Sequence, residues 1–332
     1  MRRWVVSFVA CRVFEPASPA RVLPMETADL SPGDVLVRVQ FSSLNFKDAL
    51  AVTGRAPILR RHPLNPGIDA AGVVVSSDDA RVAAGETVLL NGMGLGETRD
   101  GGLAQYLRAP AEWVMAMPDG LDARGAMALG TAGFTAALAL ERLERLGQTP
   151  ATGPLIVTGA SGGVGSVAVR LAAARGYEVI AVSGRSQHGD YLRELGARHV
   201  TSSEALGLGT RPLESARYGG AIDSVGGDLL SDLTRHVAPW GSIACVGNAG
   251  GTDLRTSVLP LILRGVSLVG VSSSRCPMSL RAAIWQRLAT ERQSPPAELL
   301  VEKVVSLTEV PGAALALLER KVRGRLLVDC RA

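Results

Sequence analysis

A glycine-rich run near the middle of the chain limits most strongly what this sequence can fold into. Residues 156–165 read Ile-Val-Thr-Gly-Ala-Ser-Gly-Gly-Val-Gly, an apolar stretch that passes through glycines directly into a helical pattern. Gly159, Gly162 and Gly165 permit a tight turn, close approach of the backbone and close helix packing. Because the amino end of a helix binds anions, the run predicts a strand, turn and helix that hold the pyrophosphate of a nucleotide.

The next segment completes a βαβ unit and indicates which dinucleotide binds. Apolar residues recur at helical spacing after the glycines, and a second apolar strand is predicted at 179–182. In such units an Asp or Glu near the end of the second strand accepts the ribose 2′-hydroxyl of NAD. This chain has Ser183, Gly184 and Arg185 there. A hydroxyl and a guanidinium can bind a 2′-phosphate, so the segment favours NADPH; the alternative for Arg185 is a solvated loop residue.

Composition predicts a soluble globular protein of two domains. The chain has 332 residues, of which 47% are hydrophobic, and its net charge of +4 is spread without runs of like charge. Aromatic residues are 4% of the chain and form no stripe with basic residues, which argues against nucleic acid. Residues 1–10 are interpreted as a first β-strand and not as a signal segment, and no run approaches about 18 apolar residues. We therefore expect a cytoplasmic protein without a membrane partner.

Two patterns of secondary structure follow one another along the chain. The first 120 or so residues carry short β-branched runs, including 34–41, 72–76 and 86–90, separated by Pro, Gly and Asp. From about residue 130, strands alternate with helices, as in a parallel sheet. The strands predicted there are 155–158, 179–183, 221–225, 243–247 and 267–272, and the helices are 229–237 and 258–264, followed by helices 279–290 and 310–321 and a strand at 325–329.

Cysteine and histidine positions predict neither disulfides nor a clustered metal site. The four cysteines contain no Cys-x-x-Cys pair, and the four histidines show no ligand spacing. Buried or incidental cysteines are the interpretation that these spacings favour.

Polar residues at 45–48 and 69, taken with two glycine-rich motifs, carry a resemblance to a known family. Asn45, Lys47 and Asp48 follow a predicted strand, Asp69 lies among small residues, and Gly-Thr-Ala-Gly-Phe-Thr-Ala begins at residue 130. Alone, these are equally readable as turn and cap residues. In this order along the chain, they make the sequence similar to the zinc-free branch of the medium-chain dehydrogenase/reductase superfamily, and more narrowly to its acrylyl-CoA reductase group.

The resemblance extends over most of the chain and implies a fold, a reaction and an assembly. It implies an α/β protein with a GroES-like β-rich catalytic domain at 1–125, to which 290–332 return, and a Rossmann domain with a doubly wound parallel sheet at 126–289. It also implies NADPH-dependent reduction of a carbon-carbon double bond conjugated to a thioester, and a homodimer. The zinc enzymes of the superfamily carry Cys and His-Glu where this chain has Asn45 and Ile68-Asp69. No metal is therefore expected.

Individual residues are nominated by the same resemblance. The alternatives are a core side chain for Ile262, a solvated loop residue for His199 and an edge-strand charge for Arg325. The cofactor-binding residues that it implies, with those of the glycine run and the following loop, are Phe46, Thr131, Ser161, Gly162, Gly163, Val164, Ser183, Gly184, Arg185, His199, Asn248, Ile262, Ser273 and Arg325.

One departure from the family pattern concerns the proton donor. The family has Asn-Tyr-Lys-Asp where this chain has Asn45, Phe46, Lys47 and Asp48. Phenylalanine can pack but cannot donate a proton. Asn45, Lys47 and Asp48 are the candidate catalytic residues, acting on a small-molecule or acyl-thioester substrate, free or carrier-bound. Quinone or enone reduction, or cofactor binding with little turnover, are the alternatives.

Overall fold

The chain divides into two compact units, and each unit has its own sheet. The computed structural model describes residues 5–291 and 297–332. Unit 1 contains residues 5–131, Ser274–Thr290 and Leu300–Ala332. Unit 2 contains Ala132–Ser273 together with residues 291 and 297–299. Of the predicted first strand at 1–10, residues 1–4 lie outside the described part of the chain.

Unit 1 is a mostly antiparallel β structure. Val35, Val37 and Val39 alternate along its central strand and are buried, as expected of β-branched residues on the core face of a strand. Within the described residues its strands are β1 (Ser7–Arg12), β2 (Arg21–Glu26), β3 (Val35–Leu44), β4 (Asp69–Ser77), β5 (Thr87–Asn91), β6 (Tyr106–Ala109), β7 (Met115–Ala116), β14 (Val301–Ser306) and β15 (Arg325–Asp329).

The strand order of unit 1 brings both ends of the chain into one sheet. β1 pairs with β2, and the larger sheet runs β14, β15, β3, β4, β5, β7, with β6 also paired to β3. The helices of this unit are α1 (Phe46–Val52), the start of α2 (Ala123–Arg145), α7 (Met278–Thr290) and α8 (Val310–Leu318). This sheet is the β-rich domain that the resemblance implies.

Unit 2 is a doubly wound parallel sheet with short helices. In the part of the chain that the structure describes, its strands are β8 (Leu155–Thr158), β9 (Val179–Val182), β10 (His199–Thr201), β11 (Tyr218–Asp223), β12 (Val237–Cys245) and β13 (Ser267–Gly270). Their spatial order is β10, β9, β8, β11, β12, β13, and every pair is parallel. This is the strand order of a Rossmann fold, so the predicted α/β fold class is confirmed.

The helices of unit 2 alternate with its strands in sequence, except for the second part of α2, which precedes β8. They are the second part of α2, α3 (Gly163–Ala174), α4 (Gly189–Glu194), α5 (Gly227–Leu233) and α6 (Leu259–Arg264). The three apolar residues of β8 that precede Thr158 are fully buried, as in a strand with both faces covered.

Several element bounds differ from the sequence prediction. Strand β12 begins at Val237 instead of 243, and it is irregular between Val237 and Ser242, where Trp240 has φ 62° and the pairing with β11 shifts register. Pro239 and Gly241 favoured a turn in the sequence prediction. Helix α5 ends at Leu233, four residues before the predicted end at 237. Strand β10 was not predicted, since three residues are too few to show the alternation of apolar and polar residues that indicates a strand.

Residues 274–290 also pack differently from the predicted domain boundaries. The sequence prediction places 126–289 in the Rossmann domain, whereas by contacts the residues up to Thr131 and Ser274–Thr290 belong to unit 1. Arg281 Nη1 donates to the carbonyl oxygen of Asn91 (2.8 Å), and Trp285 Nε1 donates to Asn91 Oδ1 (2.9 Å). Both side chains are fully buried, so two long side chains fix α7 to β5.

Helix α2 is the longest helix in the described residues and is bent at a glycine. Gly130 has φ 52° and ψ −158°, outside the helical region, and the division between the units falls just after it. The helix is long and apolar enough to cross a membrane, but 89% of its most apolar window is buried inside the protein. It is a core helix.

Candidate active site

The glycine turn of unit 2 has the geometry of an anion-binding site. Gly159 has φ +59°, and a Cβ on Gly165 would overlap the carbonyl oxygen of Gly159. The turn therefore packs too closely for any larger residue at 165. Helix α3 follows with Gly162 as its N-cap and with no side chain capping it. The backbone N–H of Gly162 donates to the carbonyl oxygen of Gly159 (2.9 Å) and closes the turn. Gly163 and Val164 therefore present the backbone amides at the amino end of this 12-residue helix, which favours a phosphate.

The loop after β9 lies beside this turn. Ser183 Oγ is 3.1 Å from Ser161 Oγ, and it accepts a hydrogen bond from the backbone N–H of Arg185 (3.2 Å). Both serines are buried, whereas Gly184 is exposed with nothing within 4 Å of a Cβ built on it. Ser161, Ser183 and Arg185 therefore form one polar segment with no carboxylate among them. These residues fit a cofactor that carries a 2′-phosphate.

Other predicted cofactor residues are distributed over unit 2. Asn248 is exposed after β12, and Ser273 follows β13, so both lie beyond the carboxyl ends of strands. Ile262 lies on α6 and is 69% exposed, which excludes the core alternative for this side chain. His199 begins β10, and its Nε2 is 3.3 Å from Oε1 of Glu178, which immediately precedes β9. The imidazole therefore lies at the amino ends of the strands, opposite to the glycine turn.

In unit 1, Asp69 is the centre of a buried hydrogen-bond network. Its Oδ2 accepts from the Ser43 hydroxyl (2.5 Å), from Asn45 Nδ2 (2.8 Å) and from the backbone N–H of Thr131 (2.9 Å). Its Oδ1 accepts from the Thr131 hydroxyl (2.6 Å). Thr131, predicted to contact the cofactor phosphates, thus has its hydroxyl proton directed at this carboxylate.

Asp48 belongs to the same network and is buried. Its Oδ2 accepts from the backbone N–H and from Nδ2 of Asn45 (both 2.9 Å), and its Oδ1 accepts from the backbone N–H of Ile68 (2.9 Å). Burial, and then the charge of Asp69, raise the pKa of Asp48 to about 7, although these hydrogen bonds act in the opposite direction. Asn45 uses both amide hydrogens on the two carboxylates, so it joins two acids and has none left for a ligand.

Arg325 lies in this network instead of on the surface. It is 3% exposed, and it donates from Nη1 to Asn45 Oδ1 (3.1 Å) and from Nε to the carbonyl oxygen of Ala128 (3.3 Å). A Cβ on Gly130 would lie 2.7 Å from Arg325 Nη2 and from Asp69 Oδ2. The guanidinium predicted to contact the cofactor is therefore held inside unit 1 by Asn45 and Ala128, and only glycine leaves it room at 130.

The two remaining residues of the 45–48 cluster are partly exposed. Phe46 is 47% exposed at the start of α1. Lys47 Nζ donates to Glu97 Oε1 (2.9 Å), and its side chain is 37% exposed. Of the three candidate catalytic residues, Lys47 is the one that is not buried.

The geometry around Asn45 and Asp69 does not suit a zinc ion. The structure brings these two residues together, but Asn45 Nδ2 points at the carboxylate, and the facing oxygen already accepts three hydrogen bonds. A cation would have to displace these donors and would lie close to the guanidinium of Arg325. Among the described residues, no group of three or more His, Cys, Asp or Glu is arranged to hold a metal ion.

Three buried polar residues of these sites were not identified from the sequence. Ser43 donates to Asp69, and Thr158 donates to Asp223 at the carboxyl end of the unit 2 sheet. Thr158 ended a predicted strand directly before the glycine turn, and Asp223 lay near the end of the predicted strand 221–225. Ligands of parallel sheets bind at the carboxyl ends of strands, and that position was the available signal. Ser43 had no such signal, since its partner is 26 residues away in sequence.

Comparison with known proteins agrees with this architecture. The alcohol dehydrogenase GroES-like domain model matches residues 31–119, and the zinc-binding dehydrogenase model matches residues 163–290. The chain is 47% identical over 311 residues to the probable acrylyl-CoA reductase AcuI of Escherichia coli, covering 93% of this chain and 95% of that protein. It is 44% identical over 308 residues to the putative quinone oxidoreductase YhfP of Bacillus subtilis, covering 92% and 93%.

Solved structures give the same relationship. A crystal structure of E. coli K-12 YhdH with bound NADPH superposes with a TM-score of 0.93 at 44% identity, covering 97% of this chain and 99% of that one. B. subtilis YhfP, crystallised with NAD, also superposes with a TM-score of 0.93, at 42% identity over 98% of this chain and 99% of the other. Relatives this similar over nearly the whole length establish that the chain belongs to the medium-chain dehydrogenase/reductase family, in the group of the acrylyl-CoA reductases and YhfP-like quinone oxidoreductases.

Proposed function

We propose that this protein is an NADPH-dependent reductase of an activated carbon-carbon double bond, with an enoyl thioester such as acrylyl-CoA as substrate. The observation that carries the proposal is the polar segment of Ser161, Ser183 and Arg185 beside the glycine turn, which accommodates a 2′-phosphate and contains no carboxylate. The relatives named acrylyl-CoA reductase, at 47% and 41% identity, support the thioester as substrate.

Unit 2 binds and orients the cofactor in this proposal. The amides of Gly163 and Val164 bind the pyrophosphate at the turn that Gly162 closes, and Ser183 and Arg185 bind the 2′-phosphate. Bound NADPH supplies a hydride, which goes to the β-carbon of the substrate. The negative charge that develops on the thioester oxygen then needs a hydrogen-bond donor or a cation.

Unit 1 provides a rigid polar network in this proposal and no metal. Asp48, Asp69, Asn45 and Arg325 satisfy one another, so their role is to hold α1 and thereby Phe46 and Lys47. Lys47 is the group that we assign to the developing charge, because its side chain is 37% exposed; its Nζ would have to leave Glu97, with which it pairs at 2.9 Å. Phe46 carries no proton, so solvent protonates the α-carbon. The reaction is zinc-independent because the Asn45–Asp69 pair is occupied by internal donors.

Quinone reduction is the second candidate. The relative YhfP is named a putative quinone oxidoreductase, and the exposed ring of Phe46 offers an apolar face to a flat substrate. Such a substrate has no pantetheine arm to recognise. Cofactor binding with little turnover is the further alternative that the loss of a tyrosine at position 46 leaves open.

Oxidation of NADPH followed at 340 nm separates these candidates. Acryloyl-CoA, crotonyl-CoA and simple quinones are offered as substrates to the same preparation, with NADPH and NADH in parallel. We expect turnover of acryloyl-CoA with NADPH and slower turnover with NADH. Turnover of quinones alone would reject the thioester, and binding of NADPH without turnover of any substrate would reject catalysis.

We also propose that the protein is a homodimer that works in the cytoplasm, where NADPH is available. An apolar patch on unit 2 supports the dimer: Trp240, Val258, Ile262 and Leu263 are 78%, 62%, 69% and 63% exposed. The ring of Trp240 lies over Gly265, directly before β13, which is the last strand of its sheet. An exposed apolar patch beside an edge strand is a surface that a second copy of the chain would cover.

A further inference from the structure

A buried hydrogen-bonded pair lies at the carboxyl ends of two neighbouring strands in unit 2. Thr158 ends β8 and Asp223 ends β11, and both residues are fully buried. The Thr158 hydroxyl donates to Asp223 Oδ1 (2.6 Å) and accepts from the backbone N–H of Ser224 (3.0 Å). The hydroxyl thus uses its proton and one lone pair to join the end of one strand to the turn that follows the other.

Asp223 organises that turn through its second oxygen. Asp223 Oδ2 accepts from the backbone N–H of Gly226 (2.8 Å). Gly226 and Gly227 have φ of +71° and +60°, a left-handed conformation that side chains disfavour. The backbone N–H of Val225 also donates to Asp223 Oδ1 (3.4 Å), so two of the three donors to this buried carboxylate are backbone amides of the turn. They hold this conformation more firmly than chain connectivity alone.

The turn at residues 224–227 contacts a second loop, which carries Asn248. The backbone N–H of Gly250 donates to the carbonyl oxygen of Val225 (2.7 Å), and Gly226 forms a bridge with Gly251. A Cβ on Gly226 would overlap the carbonyl oxygen of Gly251 and come within 3.3 Å of the Cα of Asn248. The two loops are therefore in backbone contact, and the position of Asn248 depends on the turn.

Thr158 and Asp223 lie at the edge of the sheet where a cofactor is expected to bind. The strand order reverses between β8 and β11, and ligands of open parallel sheets bind outside the carboxyl ends at that point. The glycine turn begins at the next residue after Thr158, and a Cβ on Gly159 would lie 3.4 Å from the Cβ of Ser224. The turn after β11 thus contacts the pyrophosphate turn on one side and the Asn248 loop on the other.

We infer that Thr158 and Asp223 are positioning residues for the nicotinamide half of the cofactor, acting through the 224–227 turn and the Asn248 loop. This inference rests on the proposed function, in which unit 2 binds NADPH, and on the family resemblance, which implies that Asn248 lies beside the nicotinamide half. It assigns no contact with the cofactor to either side chain. The adenosine half, which uses Ser183 and Arg185, should not depend on the pair.

The test compares binding of NADPH with binding of 2′,5′-ADP, which has the adenosine half alone, by isothermal titration calorimetry. In Thr158→Val we expect NADPH to bind about tenfold more weakly, because the hydrogen bond to a buried carboxylate is lost, and 2′,5′-ADP to bind within about twofold of the wild type. Thr158→Ser keeps the hydroxyl and should retain both affinities. Thr234→Val is the matched control, since it removes another buried hydroxyl of unit 2, which donates to the carbonyl oxygen of Ser231.

Equal losses for the two ligands in Thr158→Val, or unchanged NADPH binding, would overturn the inference. Gly226→Ala is the second variant and decides the matter if Thr158→Val does not fold, because it separates the two loops without changing the pair. Gly226→Ala should also weaken the binding of NADPH and leave the binding of 2′,5′-ADP nearly unchanged. A wild-type protein that binds neither ligand would instead refute the proposed function.

Discussion

At the residue scale, two buried carboxylates share one amide and one guanidinium in unit 1. Asn45 Nδ2 donates to both Asp48 and Asp69, and Arg325 donates to Asn45 Oδ1. Placing two acids in the interior is unfavourable unless donors surround them. The shift in the pKa of Asp48 is the measurable sign of that cost.

The stability of the protein should therefore depend on pH through Asp48. Its pKa is raised from 3.8 to about 7, first by burial and then by Asp69. Between these values the folded protein binds the proton more tightly than the unfolded chain, so the contribution of Asp48 is greatest at low pH and is lost as the pH rises to about 7. Asp48→Asn removes this dependence.

Urea unfolding of the wild type and of Asp48→Asn, from about pH 5 to about pH 8, measures the effect. The free energy of unfolding of the wild type relative to the variant should fall by on the order of 2 kcal/mol as the pH rises, and then level off. A difference that stays constant over this range would contradict the raised pKa.

Arg185 is the residue that should decide between NADPH and NADH. Arg185→Ala removes the cation of the segment that lies beside the glycine turn, and we expect the affinity for NADPH to fall by about 1.5 to 3 kcal/mol, as for a lost charged hydrogen bond. The affinity for NADH should change little. Titration of both cofactors into both proteins measures this, and equal weakening of the two would argue that Arg185 does not contact the 2′-phosphate.

At the scale of elements, the bend in α2 connects a helix to the acid network. Gly130 combines φ of 52° with a position whose Cβ would lie 2.5 Å from Ser43 Oγ and 2.7 Å from Arg325 and Asp69. The bend thus brings Thr131 to Asp69, and glycine is required there for two separate reasons. A left-handed backbone is the first, and the crowded surroundings are the second.

Gly130→Ala should destabilise the protein well beyond the cost of its backbone conformation. Gly147→Ala is the matched control, because Gly147 has φ +87° and nothing within 4 Å of its Cβ position. The free energy of unfolding of the control should fall by about 1 to 2 kcal/mol, the usual cost of a left-handed residue. Gly130→Ala should lose roughly 2 kcal/mol more, since the side chain also displaces buried polar groups. Similar melting temperatures for the two variants would show that the network tolerates a methyl group.

Elements with a clear period or with glycine punctuation could be predicted from the sequence, and others could not. The run around Gly159 fixed β8 and the start of α3, because strand, turn and helix each leave a pattern. The bend at Gly130 has no recognisable sequence pattern, since apolar residues continue on both sides of it. The predicted boundary at residue 289 differs from the division by contacts, which falls before Ser274, because the contacts of α7 with Asn91 join residues 190 and 194 positions apart.

At the scale of the whole molecule, assembly should depend on the apolar patch of unit 2. Ile262→Glu places a charge in this patch and should yield a single chain in solution, whereas the wild type should have the mass of two chains. Leu315→Glu is the control, because Leu315 is exposed on α8 of unit 1. Size-exclusion chromatography with light scattering measures both. A monomeric wild type, or an Ile262→Glu variant that stays dimeric, would contradict the proposed interface.

The sites could be predicted from the sequence in part. The pyrophosphate turn and the Ser183–Arg185 loop follow from local motifs, because phosphate binding uses consecutive backbone amides and near neighbours. The network around Asp69 joins residues from four segments of the chain, and Arg325 and Asn45 lie 280 positions apart. No local pattern reports that distance, so Arg325 was assigned to the cofactor and not to the buried acids.

Transfer of deuterium tests the central claim most directly. NADPH labelled with deuterium at the hydride-donating carbon is incubated with acryloyl-CoA and the protein, and the product is examined by nuclear magnetic resonance. We predict that the deuterium is found on the β-carbon of propionyl-CoA, and that in heavy water with unlabelled NADPH the label is found on the α-carbon. Deuterium from NADPH on the α-carbon, or no label in the product, would contradict hydride transfer to an enoyl thioester.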